Sequence, residues 1–117
     1  MSSMSSITSF PSPHRPAQQT VFLRDELSRI LDIYGRMVAA GEWRDYAIDC
    51  AHEEAVFRIY RRSSEMPLYR IVKRPAMAAK QGAYAVIAMD GRILKRGAKL
   101  EQVLQVFNPA LRKVEES

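Results

Sequence analysis

Few side chains in this sequence have the types and spacing that chemistry requires. Cys50 and His52 stand two apart, with the carboxylates Asp49 and Glu53 beside them. A cysteine nucleophile needs a base within reach and a third group to orient that base. The segment CAHEE nonetheless reads as a turn, and nothing near it in sequence supplies an oxyanion hole, so a turn cysteine beside a solvated histidine is the better reading. With one cysteine and two histidines, His14 and His52, neither an internal disulfide nor a cysteine-based zinc site can form within one chain, and no metal is expected. The five glycines are scattered, without GxGxxG or GxxxxGK[ST], so no nucleotide cofactor is expected. Gly97-Ala98-Lys99, opening a helix, is the one place where backbone amides could meet an anion.

The stretch RIYRRSSEMPLYRIVKR, residues 58–74, is different in kind. It is dense in Arg and Lys, its single acid is Glu65, and it reads as two short strands around a turn. Like charges facing each other across a hairpin are unfavourable. With the turn centred on Ser64, Arg58 falls opposite Arg70, Tyr60 opposite Leu68, and Phe57 opposite Ile71. Phe57, Ile59, Tyr69 and Ile71 then make an apolar face, and Arg58, Tyr60, Arg62 and Arg70 share the other, with Lys95 joining from a later hairpin. Arginine interleaved with tyrosine on an open sheet is a composition that nucleic-acid platforms use, combining phosphate contacts with stacking. The competing reading is a solvated face whose arginines pair with acids such as Asp45 and Asp49.

Charge is unevenly placed along the chain. Residues 21–57 carry four bases against eight acids, and residues 58–99 carry eleven bases against two. A positive segment of that size attracts polyanions or acidic partners unless the acidic one neutralises it within the fold.

The elements that must position these groups follow from periodicity. Leu27, Ile30, Leu31, Tyr34, Met37 and Val38 form one helical stripe, with Asp25 and Glu26 in the first turn and Gly41 at the C-terminal cap. WRDYAID, AVFRIYRR and LYRIVKR alternate as strands, and Pro75 ends the last of them. AYAVIAMDGRILKRG carries Asp90-Gly91 between apolar runs, the signature of a two-residue hairpin. AKLEQVLQVFNP closes with a second helix, capped at Asn108 and stopped by Pro109. The expected fold is α+β, an antiparallel sheet of four or five strands with an N-terminal and a C-terminal helix on one face. Residues 1–20, rich in Ser and Pro, are expected to be a disordered tail, 21–111 a single domain and 112–117 a flexible C-terminus. The longest apolar run, AYAVIAM, is far below the roughly 18 residues that cross a bilayer, and the tail lacks the apolar core of a secretory signal, so a cytoplasmic protein without membrane contact is expected.

Three blocks, YGRMVAAGEWRDYAID, SEMPLYRIVKRP and QGAYAVIAMDGRILKRG, resemble in this order a family of small alphaproteobacterial proteins classed as a domain of unknown function. The likeness runs from about Phe22 to Leu111 and implies a bacterial cytosolic origin and one compact domain. It carries over no catalytic or binding residue.

The expected function is therefore a non-enzymatic binding module. Its basic face is led by Arg58, Tyr60, Arg61, Arg62, Arg70, Lys73, Arg74 and Lys95, and it takes nucleic acid or an acidic protein. The alternative is a protein-interaction or regulatory subunit, homodimeric in one version, working through an open sheet edge or through Trp43, Arg44 and Tyr46. A small enzyme acting on an anionic metabolite ranks behind both.

Overall fold

In a computed structural model, which describes residues 19–62 and 66–116, the first apolar stripe winds into helix α1 (Arg24–Ala39). The greater part of the expected tail, residues 1–18, lies outside the described residues. Ile30 and Met37 of α1 are buried, with Leu27, Leu31, Ile33 and Tyr34 packed beside them, while Val38 stays exposed. The helix ends in a Schellman arrangement: Gly41 N–H donates to Val38 O, Glu42 N–H donates to Met37 O (both 2.9 Å), and Gly41 adopts φ +79°.

Five strands follow, β1 (Asp45–Cys50), β2 (Ala55–Tyr60), β3 (Tyr69–Lys73), β4 (Tyr84–Ala88) and β5 (Ile93–Gly97). Each pairs antiparallel with the next, so the sheet is a meander in order β1-β2-β3-β4-β5. The hairpin register is the expected one, with Phe57 opposite Ile71 and Arg58 opposite Arg70. Ala55, Phe57, Ile59, Ile71 and Val86 are fully buried on one face, against Ile30, Trp43, Val103, Phe107 and Leu111. The antiparallel α+β architecture with helices on one face is thus realised in full.

Two local expectations need correction. The Asp90-Gly91 connection is not a two-residue primed turn. Ala88 N–H donates to Arg92 O and Gly91 N–H donates to Ala88 O, so Met89, Asp90 and Gly91 form a three-residue loop with Gly91 at φ +89°. A register shift at Val86/Ile87 follows it, placing Val86 opposite Lys95 and Ile87 opposite Ile93.

Pro109 does not stop the last helix either. α2 (Leu100–Leu104) passes through a 3₁₀ turn, Gln105–Phe107, into α3 (Asn108–Glu115). Pro109 sits in the first turn of α3, where its missing N–H has no helical partner to lose and its fixed φ suits a helix start. The helix runs on into the residues expected to be flexible because Leu111 and Val114 reach the core. No helix among the described residues is long and apolar enough to cross a membrane.

Candidate anion-binding sheet face

Alternation and register together place Val56, Arg58 and Tyr60 of β2, Arg70 and Val72 of β3, Ala85 and Ile87 of β4, and Arg96 of β5 on the face away from the helices. Asp45, Ala47 and Asp49 of β1 continue it. Val56 and Val72 are only 6% and 8% exposed although no described helix packs over them. Long arginine side chains lie over apolar sheet atoms in this way while their charged heads stay in water. Arg70, Arg74 and Arg96, with Glu54, line one cavity of about 140 Å³ whose apolar lining includes Val56, Val72, Ala85 and Ile87.

The acidic N-terminal segment answers part of this charge. Asp49 pairs with Arg58, and Glu54 accepts from Arg74 at 2.7 and 3.2 Å. Arg70 and Arg96 have no hydrogen-bond or ion-pair partner among the described residues. The β1 side of the face is thus neutralised, Arg74 is paired at its rim, and Arg70 and Arg96 keep their charge.

Several expected members sit elsewhere. Lys73 lies opposite Ala55 and Tyr84 on the helix side, where its ammonium donates to Glu26 Oε1 at 2.7 Å and to Val21 O at 2.9 Å. Lys95 also falls on the helix side, opposite the fully buried Val86, because the register shift fixes its parity. Arg61 turns toward α1 and meets Glu42 at 3.7 Å. Arg62 is exposed and has no partner among the described residues, and Tyr60, half-buried, ends β2 opposite Asp45. Leu68 packs against the core instead of extending the basic face. Arg96 is the member that sequence reasoning missed; the alternation of ILKRG, read with the register shift, is the signal that finds it.

Trp43, Arg44 and Tyr46 do not form a row. Trp43 is buried between Tyr34, Tyr69 and Phe107, with ring centroids 5.2–6.3 Å apart. Arg44 contributes backbone, its N–H donating to Tyr60 O and its carbonyl accepting from the Tyr34 hydroxyl. Tyr46 stacks on Phe57 at 4.9 Å on the edge strand and remains 45% exposed.

The other candidates lie apart from this face. Cys50 ends β1 against the core, whereas His52 lies exposed in the turn that Ala51 N–H closes onto Glu54 O. No group of three or more His, Cys, Asp or Glu among the described residues is arranged to hold a metal ion. At the start of α2, Lys99 N–H donates to Gln102 Oε1 at 3.1 Å, so a side chain already occupies that amide.

Comparison with known proteins adds one match, to the family described as "Protein of unknown function (DUF2794)", over residues 20–104. No curated protein and no solved structure matches the chain.

Proposed function

We propose, for a chain that belongs to the DUF2794 family of proteins of unknown function, that its uncovered sheet face binds an anionic polymer, nucleic acid in the first place. The observation that carries this reading is the pair Arg70 and Arg96, unpaired among the described residues, flanking one cavity with Arg74 on a face that no described helix covers. A sheet presents a platform and not a rod that enters a groove, so the matching form is a single strand, its phosphates on the arginines and a base against Tyr60. A bacterial cytoplasmic setting goes with this reading.

The test is fluorescence anisotropy with mixed-sequence single-stranded RNA and DNA across a salt series. Phosphate contacts make log K fall linearly with log salt, and removing one such contact lowers the slope by about 1. Arg70→Ala/Arg96→Ala is therefore expected to weaken binding uniformly across sequences and to lower the slope by about 2. Absence of binding at low salt overturns the reading, and an acidic protein retained in its place would redirect it.

A second reading rests on β1, an edge strand that leaves Tyr46 45% and Ile48 38% exposed. Open edges pair with further strands, so a protein-interaction role, homodimeric in its simplest form, would use this edge. A dimeric mass in solution, abolished by Ile48→Lys, supports it; a monomer at all concentrations removes the homodimeric version.

A further inference from the structure

At the end of the sheet away from the Glu26–Lys73 pair, the C-terminus of α1, Arg61 and Leu68 beyond the adjoining ends of β2 and β3, the β4–β5 loop and α3 border an open cavity of about 620 Å³. That lies within the range of about 300–1,000 Å³ typical of small-molecule sites. Its apolar lining comes mainly from Met37, Trp43, Leu68, Tyr69 and Met89. The core has not closed over this space, although three aromatic rings converge beside it.

The unsatisfied polar groups at this cavity are donors, beside two carboxylates, Glu42 and Asp90. Trp43 is 5% exposed, yet its indole N–H has no acceptor among the described residues. A buried tryptophan usually finds a partner for that hydrogen. The Tyr69 hydroxyl likewise has no hydrogen-bond partner among the described residues. At the mouth, the Arg61 guanidinium is held among the described residues only by its 3.7 Å contact to Glu42, with both side chains about half exposed. The third charged group, Asp90, already accepts the Arg92 N–H at 2.9 Å within its loop.

We propose that this cavity binds a small carboxylic acid with an apolar body. The body occupies the space between Trp43 and Met89, and the carboxylate exchanges with Glu42 as the partner of Arg61 and offers oxygen to the unsatisfied donors. Guanidinium and carboxylate suit each other because two parallel N–H···O bonds form at once. An amine would leave those donors unsatisfied and find its acceptors only in Glu42 and Asp90, both already engaged, with Arg61 and with the Arg92 N–H. The site is separate from the basic sheet face and holds or fails independently of it.

Trp43 is the only tryptophan in the chain and lines the cavity, so its emission reports occupancy directly. The full chain is titrated with decanoate, decanol and decylamine. Decanoate is expected to give a saturable change, with decanol at least about tenfold weaker, as the loss of a charged hydrogen bond implies. Arg61→Gln should remove the preference for decanoate over decanol, and Met89→Asp should weaken both. Both residues are exposed, so circular dichroism and thermal unfolding should be unchanged in either variant. No saturable response, equal binding of all three probes, or a preference that survives Arg61→Gln would each overturn the proposal.

Discussion

Glu26 is the side chain whose role the sequence conceals. Beside Asp25 in the first turn of α1 it reads as an acid placed for the helix dipole. In the fold it is 8% exposed and accepts from Lys73 at 2.7 Å, from the Leu23 N–H at 2.8 Å and from the Tyr84 hydroxyl. Burial by itself raises a carboxyl pKa, but these donors outweigh it and hold Glu26 below its ordinary value of 4.5. Tyr84 moves up from 10.0, first through burial and then through its bond to Glu26. Lys73→Met leaves a buried carboxylate without its cation, and breaking such a pair destabilises by about 3 kcal/mol. Urea midpoints of the two proteins at neutral pH measure that loss. The pH dependence has a definite sign at each end. Glu26, depressed in the fold, stabilises it above the ordinary carboxylate pKa and loses that contribution as pH falls through the folded value. Tyr84, raised in the fold, contributes fully below 10.0 and loses its contribution as pH climbs beyond. Glu26→Gln should flatten the acid side of the stability profile and Tyr84→Phe the alkaline side; unchanged slopes in both would refute the coupling.

Between elements, the deciding contacts are backbone ones. Gly82 has φ +102°, and a Cβ there would stand 2.4 Å from the carbonyl carbon and oxygen of Gly97, where β5 leads toward α2. Neither obstacle is a flexible side chain, so Gly82→Ala must displace the β4 approach from the end of β5, at about 3 kcal/mol or more. Gly35, inside α1, has nothing within 4 Å of the same position. There Gly35→Ala gains helix propensity and should stabilise by about 1 kcal/mol. Denaturation of the two variants beside the parent checks both signs, and a Gly82→Ala midpoint at or above the parent's would contradict the close approach. Elements of this kind were legible where local pattern and tertiary demand agree. The α1 stripe, the alternation of β2 and β3, and the pairing of Arg58 with Arg70 all follow from spacing. Pro109 misled because proline excludes a helix interior but is welcome in a first turn, and only the 3₁₀ turn at Gln105–Phe107 turns one position into the other. Lys73 shares the parity of Tyr69 and Ile71, so alternation alone puts it on the helix side against a reading by charge, whereas Lys95, expected on the basic face, gives way there to Arg96. Strand parity near a register shift depends on the neighbouring strand, which charge does not report.

For the whole molecule, the acidic and basic halves of the sequence fold onto each other. Arg58, Arg61, Lys73 and Arg74 each meet an acid from residues 21–57, namely Asp49, Glu42, Glu26 and Glu54. The same closure joins the two ends of the domain. Arg36 in α1 bonds Glu115 in α3 at 2.8 Å, Leu111 is buried, and Phe107 meets Trp43 and Tyr69 edge-on at 5.2 and 5.1 Å. The interval that matches the family ends at residue 104, three residues before Phe107. Were that interval self-sufficient, a chain cut after Leu104 would keep the cooperative unfolding of the full one. The packing argues otherwise. Loss of a buried Phe side chain alone is worth about 3–5 kcal/mol and of a buried Leu about 2–5 kcal/mol. Together they approach the whole stability of about 5–15 kcal/mol that a domain of this size possesses. The cut chain is therefore expected to lose its sharp thermal transition and to shift Trp43 emission to the red, as the ring against which Phe107 packs meets water. A sharp transition at the full chain's midpoint, with emission unmoved, would place the complete core within residues 20–104 and refute the role given to α3.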